Sequence, residues 1–115
     1  MVKNKYSIID AHCHIYPEKI AARACQGTDH FYGTHAACNG TTAGLKEILS
    51  DGRIDRFLVH SVATTPRQVR SINDFISAEV SAHPDIFFGF GTMHPESEDP
   101  AGDFEHLLEN GLKGV

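Results

Sequence analysis

Phe57-Leu58-Val59-His60-Ser61-Val62, Thr65-Pro66-Arg67-Gln68 and Ile86-Phe87-Phe88-Gly89-Phe90-Gly91 form the stretch on which the fold reading turns. The first and last segments are short, apolar and rich in β-branched or aromatic residues, which predicts buried strands. Between them, Thr65 to Gln68 reads as a capping box with proline at the first helical position. Val69, Ile72, Ile76 and Val80 then recur at helical spacing, with Phe75 beside them, until His83-Pro84 ends the helix. Strand, helix and strand in that order make a β-α-β unit, whose strands run parallel. Near-continuous apolar strands predict a sheet buried on both faces.

The same rhythm extends both ways. Upstream, Tyr6-Ser7-Ile8-Ile9 predicts a strand ending at Asp10. Pro17 opens a helix bearing Ile20, Ala21, Ala24 and Cys25, and residues 26–41 show no period and read as a long loop. A helix from Thr42 to Ser50 carries Leu45, Ile48 and Leu49, with Gly52 as its stop signal. Downstream, Pro100 opens a helix with Phe104, Leu107 and Leu108, Gly111 ends it, and Leu112-Lys113-Gly114-Val115 resembles the start of a fourth strand. A (β/α)8 barrel uses about 31 residues per unit. The 115 residues therefore correspond to three to four units, one incomplete domain over 1–115. A small open α/β domain, complete in itself, is the competing architecture.

Composition narrows the function. A formal net charge of -5 argues against nucleic acid as partner, since phosphate binding needs clustered positive charge. No apolar run approaches the roughly 20 residues that span a bilayer, and the N-terminal stretch lacks a signal-peptide core. Three cysteines, none in a Cys-x-x-Cys pair, fit a reduced cytoplasm. Open sheet edges predict self-association, so a homo-oligomer is a possible state. Eight histidines are the unusual count, and histidine is the commonest metal ligand.

Asp10-Ala11-His12-Cys13-His14 follows the first predicted strand. Alternation along an extended segment points His12 and His14 the same way and Cys13 the other way. Two imidazoles on one side can chelate one cation, and the carboxyl ends of strands are where parallel α/β folds work. Asp10 reads as support for the backbone turn that aims His12. His94, at the end of the third strand, is a candidate for proton transfer or substrate orientation, against a role bonding its own loop. His60 reads as a packing residue inside its strand. Thr64 and Thr92 are weaker strand-end candidates. Cys25, His30, His35 and Cys38 could form a loop zinc site, although their spacing matches no usual framework.

Ile9-Asp10-Ala11-His12-Cys13-His14 resembles the strand-one signature of the amidohydrolase superfamily, more closely its amidohydrolase-2 branch, which also contains aromatic-acid decarboxylases. Phe31-Tyr32-Gly33, Ser61-Val62-Ala63-Thr64, Ser71-Ile72-Asn73-Asp74-Phe75-Ile76, Gly89-Phe90-Gly91-Thr92-Met93-His94-Pro95 and Gly111-Leu112-Lys113-Gly114-Val115 resemble further segments of that branch. The resemblance implies the N-terminal units of a TIM barrel and a divalent metal, zinc first, on His12 and His14. It also implies further ligands from later strands that have no counterpart here. It favours the reading of Tyr32, in the long loop, as a substrate-binding residue reaching over the pocket; Thr64 is a substrate-binding candidate only by its place at a strand end. The implied activity is metal-dependent hydrolysis of a C–N or C–O bond in a small molecule. Non-oxidative decarboxylation of a small carboxylic acid is one alternative, and a non-catalytic zinc-binding module is another.

Overall fold

A computed structural model describes residues 6–115. Its elements are β1 (Ile9–His14), α1 (Glu18–Tyr32), α2 (Thr42–Ser50), β2 (Arg56–His60), a 3-10 turn (Pro66–Gln68) running into α3 (Val69–Ala82), β3 (Phe87–Gly89) and α4 (Pro100–Glu109). The three strands form one parallel sheet in the order β1-β2-β3. The β-α-β reading of the central stretch therefore holds. No helix among the described residues is long and apolar enough to cross a membrane.

The core explains the pairing. Cys13 and Ile15 from the β1 side, Phe57 and Val59 from β2, and Phe87 from β3 are buried on one face of the sheet. Leu45 of α2, Ile76 of α3 and Leu107 of α4 pack on that same cluster, with Leu112 at its margin. Burying each such side chain contributes about 1.5–3 kcal/mol. The alternate residues, Leu58, His60 and Phe88, are only half-buried. The expectation of a sheet covered on both faces is thus corrected: the helices cover one. A short axis of 21 Å agrees, because one sheet and one helix layer occupy about that thickness.

Five elements differ from the sequence reading. The first strand begins at Ile9 and contains the histidine motif, and Tyr6, Ser7 and Ile8 lie before it. Apolar character drew the prediction upstream; the pairing of Cys13 with Val59 and His14 with His60 decides the matter. Within the predicted loop 26–41, residues 26–32 continue α1, which stops where Gly33 takes φ 64° and its N–H bonds Asp29 O. Only Ala21 of this helix is buried, so its far half has no apolar stripe to betray it. The second strand ends at His60, and the third covers Phe87–Gly89 only. Finally, Leu112–Val115 forms no strand. It lies beside β3 through Lys113 N–H to Gly89 O (2.9 Å) and Gly91 N–H to Gly114 O (2.7 Å).

Gly89 marks the tightest approach of helix to sheet. A β-carbon there would sit 2.7 Å from Leu112 Cδ2 and from Val80 Cγ2, and 3.2 Å from Ile76 Cγ2. Gly89→Ala is expected to cost about 1–3 kcal/mol by overpacking. A chemical denaturation midpoint equal to that of the parent protein would contradict this packing.

Candidate metal centre

Pairing with β2 builds the site. The parallel register sets His14 opposite His60, so both side chains leave the sheet on the face away from the helices. Between Asp10 and Cys13 the strand carries one residue more than β2 does from Phe57 to Val59. Such a bulge bends and twists the strand locally. Asp10 supports it, its carboxylate accepting the His12 N–H at 3.1 Å. The three rings gather as a result. Centroids lie 5.1 Å apart for His12 and His14, 4.5 Å for His14 and His60, and 5.0 Å for His12 and His60.

The nitrogens converge more closely still. His12 Nε2 and His14 Nε2 are 3.1 Å apart. One ligand atom from each of His12, His14 and His60 falls within 4.8 Å of the other two. Two nitrogens on a tetrahedral zinc, each about 2.0–2.1 Å from the ion, stand roughly 3.3 Å apart. The His12–His14 pair therefore fits a shared cation. His14 Nδ1 is buried with no hydrogen-bond partner among the described residues.

Protonation favours metal binding as well. Burial, then the neighbouring His60 and His12, push His14 from 6.5 down to about 4. Burial first, and His12 second, also lower His60. At neutral pH both rings are neutral and present lone pairs. Cys13 points to the helix side, and burial, reinforced by Asp10, drives its thiol up to about 12. It stays a protonated core residue. Tyr16 extends the open face, its ring stacked on that of His14 at 6.4 Å.

The other candidates lie elsewhere. His94 Nδ1 accepts the Glu96 N–H at 3.2 Å and so organises its own loop, and it is outside the cluster of ligand atoms. Thr64 donates its N–H and hydroxyl to Gln68 Oε1 at 2.8 and 2.9 Å, which ties it to the start of α3. Thr92 is buried and accepts the Ala63 N–H. Tyr32 is 69% exposed against Phe31 at the far end of α1, a helix of 15 residues and thus about 22 Å long. Cys25, His30, His35 and Cys38 do not converge; among the described residues the one cluster of potential ligands is the histidine triad. The helix explains this, because five residues turn His30 roughly 140° away from Cys25. Neither of two depressions of about 390 and 380 Å³, the first beside α2 and the second at the end of α1, includes a clustered histidine.

His60 is the residue that sequence reasoning missed. Its partner position across from His14 is a fact of register, invisible to local spacing. The signal available was parity. His60 alternates with Val59 and Phe57, so it faces away from the helices whenever those two face them.

No family model matches the chain, and no curated protein sequence does. A solved structure does: 2,6-dihydroxybenzoate decarboxylase in complex with 2,6-dihydroxybenzoate matches with a TM-score of 0.61 at 16% identity. The match covers 95% of this chain and 38% of that one, so the chain spans well under half the length of that enzyme. The likeness establishes the fold as that of the N-terminal β/α units of a TIM barrel. In such a barrel the helices ring the outside, and the strand face bearing the histidines is the inner one.

Proposed function

We propose that this chain carries part of the active site of a metal-dependent enzyme acting on a small molecule, and that the reaction is loss of CO2 from a small aromatic carboxylic acid. The observation that carries the reading is the 3.1 Å approach of two imidazole nitrogens on the inner face of the first strand. The choice of reaction leans on the likeness in fold to a decarboxylase bound to its aromatic acid. The resemblance read from the sequence put hydrolysis first; it stands here as the second reading, since the same chelating pair serves both.

His12 and His14 would hold the cation, for which zinc is the first choice because imidazole suits it. When bound, such a cation supplies positive charge that orients and polarises a carboxylate or carbonyl oxygen. Asp10 fixes the backbone of His12, a task for which its carboxylate is already engaged. Leu58 lies on the histidine side of the sheet by alternation, beside Phe88, whose ring is covered by the Arg56 guanidinium at 3.6 Å. The proton that replaces CO2 would come from a group outside the three-histidine cluster; His94, with Nδ1 taken by the Glu96 N–H, has its second ring nitrogen left for such a role.

The test strips the protein with a chelator, restores zinc, manganese or cobalt, and measures CO2 released from hydroxylated benzoates beside hydrolysis of an amide and ester panel. Metal-restored CO2 release, lost by roughly 100-fold or more in His12→Ala, is expected. Hydrolysis without CO2 release would select the second reading. Turnover that ignores both chelator and His12→Ala would overturn the proposal.

A further inference from the structure

We infer that His60 is a third metal ligand, so that this chain alone presents a three-imidazole face to one divalent cation; the inference rests on the metal-binding reading of His12 and His14. Three independent features of the geometry lead there. The register puts His60 directly across from His14 on the adjacent strand, in a position fixed by backbone pairing. Its ring is as close to each of the paired histidines as they are to one another, at 4.5 and 5.0 Å against 5.1 Å. Its ligand atom lies within 4.8 Å of both of theirs. A packing histidine would bury its ring among apolar side chains or bond a backbone group. This one turns its ring toward two other imidazoles on a half-covered face.

The donor set also defines the cation. Among the described residues no carboxylate or thiol joins the three histidines in the cluster. Cys13 faces the opposite side, and Asp10 is bound to the His12 N–H. Three neutral nitrogens leave the ion's double charge uncompensated and suit borderline ions such as zinc, cobalt or nickel. Calcium and magnesium, which take oxygen ligands, suit three imidazoles poorly. Zinc takes four ligands, so three from this chain would leave room for a further protein group, a water or a substrate atom.

The experiment is zinc titration of the chelator-stripped protein against a competing indicator, joined to the visible spectrum of the cobalt form and to 15N spectra of the histidine rings. One equivalent of zinc is expected to shift the ring nitrogens of His60 together with those of His12 and His14. His60→Ala should weaken zinc by roughly 10–100-fold or more, the range that loss of even an outer partner reaches. His60→Gln, which keeps the side chain's bulk, should do the same and guards against a folding defect in the alanine variant. His30→Ala, on the exposed end of α1, should bind as the parent does. Unshifted His60 resonances, with zinc retained in both His60 variants but lost in His12→Ala, would overturn the third ligand and leave the paired site standing. Zinc binding indifferent to His12→Ala and to both His60 variants would overturn the two readings together.

Discussion

If the histidine cluster holds zinc as proposed, His14→Ala is expected to remove the stabilisation the ion confers. His14 stands at the centre of the cluster, 3.1 Å from His12 in nitrogen separation and 4.5 Å from His60 in ring separation. A cation present at about 100 times its dissociation constant stabilises the folded state by roughly 2.7 kcal/mol. An affinity loss of roughly 100-fold, at the same zinc concentration, leaves only about 0.4 kcal/mol. Thermal melts with and without zinc read the difference directly. Equal zinc-induced shifts in parent and variant would contradict the site.

The same residue gives the metal-free protein a pH dependence of defined sign. In the native state burial, His60 and His12 hold His14 neutral down to about 4, whereas the unfolded chain protonates it near 6.5. Between those values the unfolded state binds the extra proton, so stability falls as pH falls from 6.5 toward 4. Above 6.5 neither state is protonated there and the penalty vanishes. His14→Gln should therefore flatten this part of the acid limb in chelator-treated protein, while the lowered His60 keeps its own smaller contribution.

Asn73→Ala is expected to destabilise the fold by about 2–4 kcal/mol. Asn73 is wholly buried in α3, and its amide makes two bonds to one residue beyond β3, accepting from Thr92 N–H at 2.7 Å and donating to Thr92 O at 3.1 Å. Thr92 Oγ1 in turn accepts the Ala63 N–H from beyond β2 at 3.2 Å. Removing the amide leaves two backbone groups of Thr92 without partners, each costing about 1–3 kcal/mol. A melting temperature lower by roughly 10 °C follows for a domain of this size. Asn73→Asp should also be destabilising, because it keeps the acceptor but loses the donor. A variant melting within a degree or two of the parent would show that water replaces the amide.

Legibility in the sequence followed locality. α2 and α3 announced themselves because Leu45, Ile76 and Val80 sit on stripes that must face a core, and the capping residue Gln68 sits where its side chain accepts the Thr65 N–H. The chelating pair was legible because His12 and His14 are two residues apart in an extended segment. What escaped depends on distant partners. The extent of β1 is set by Val59 and His60. The tail of α1 is exposed on all sides, so no periodicity marks it. His60 was read as packing because nothing within its own strand names the imidazole across the ladder.

The bulge in β1 has a chemical consequence. Along an ordinary strand, alternate residues stand about 6.5–7 Å apart. On a regular strand the length of two imidazole side chains alone must close that gap to a shared ligand. Crowding Ala11 and His12 against a single position of β2 lets the backbone share the task with rotamer choice. Any chelate at His12 and His14 would thus draw part of its bite from strand register, and deleting Ala11 would change that bite without touching either imidazole.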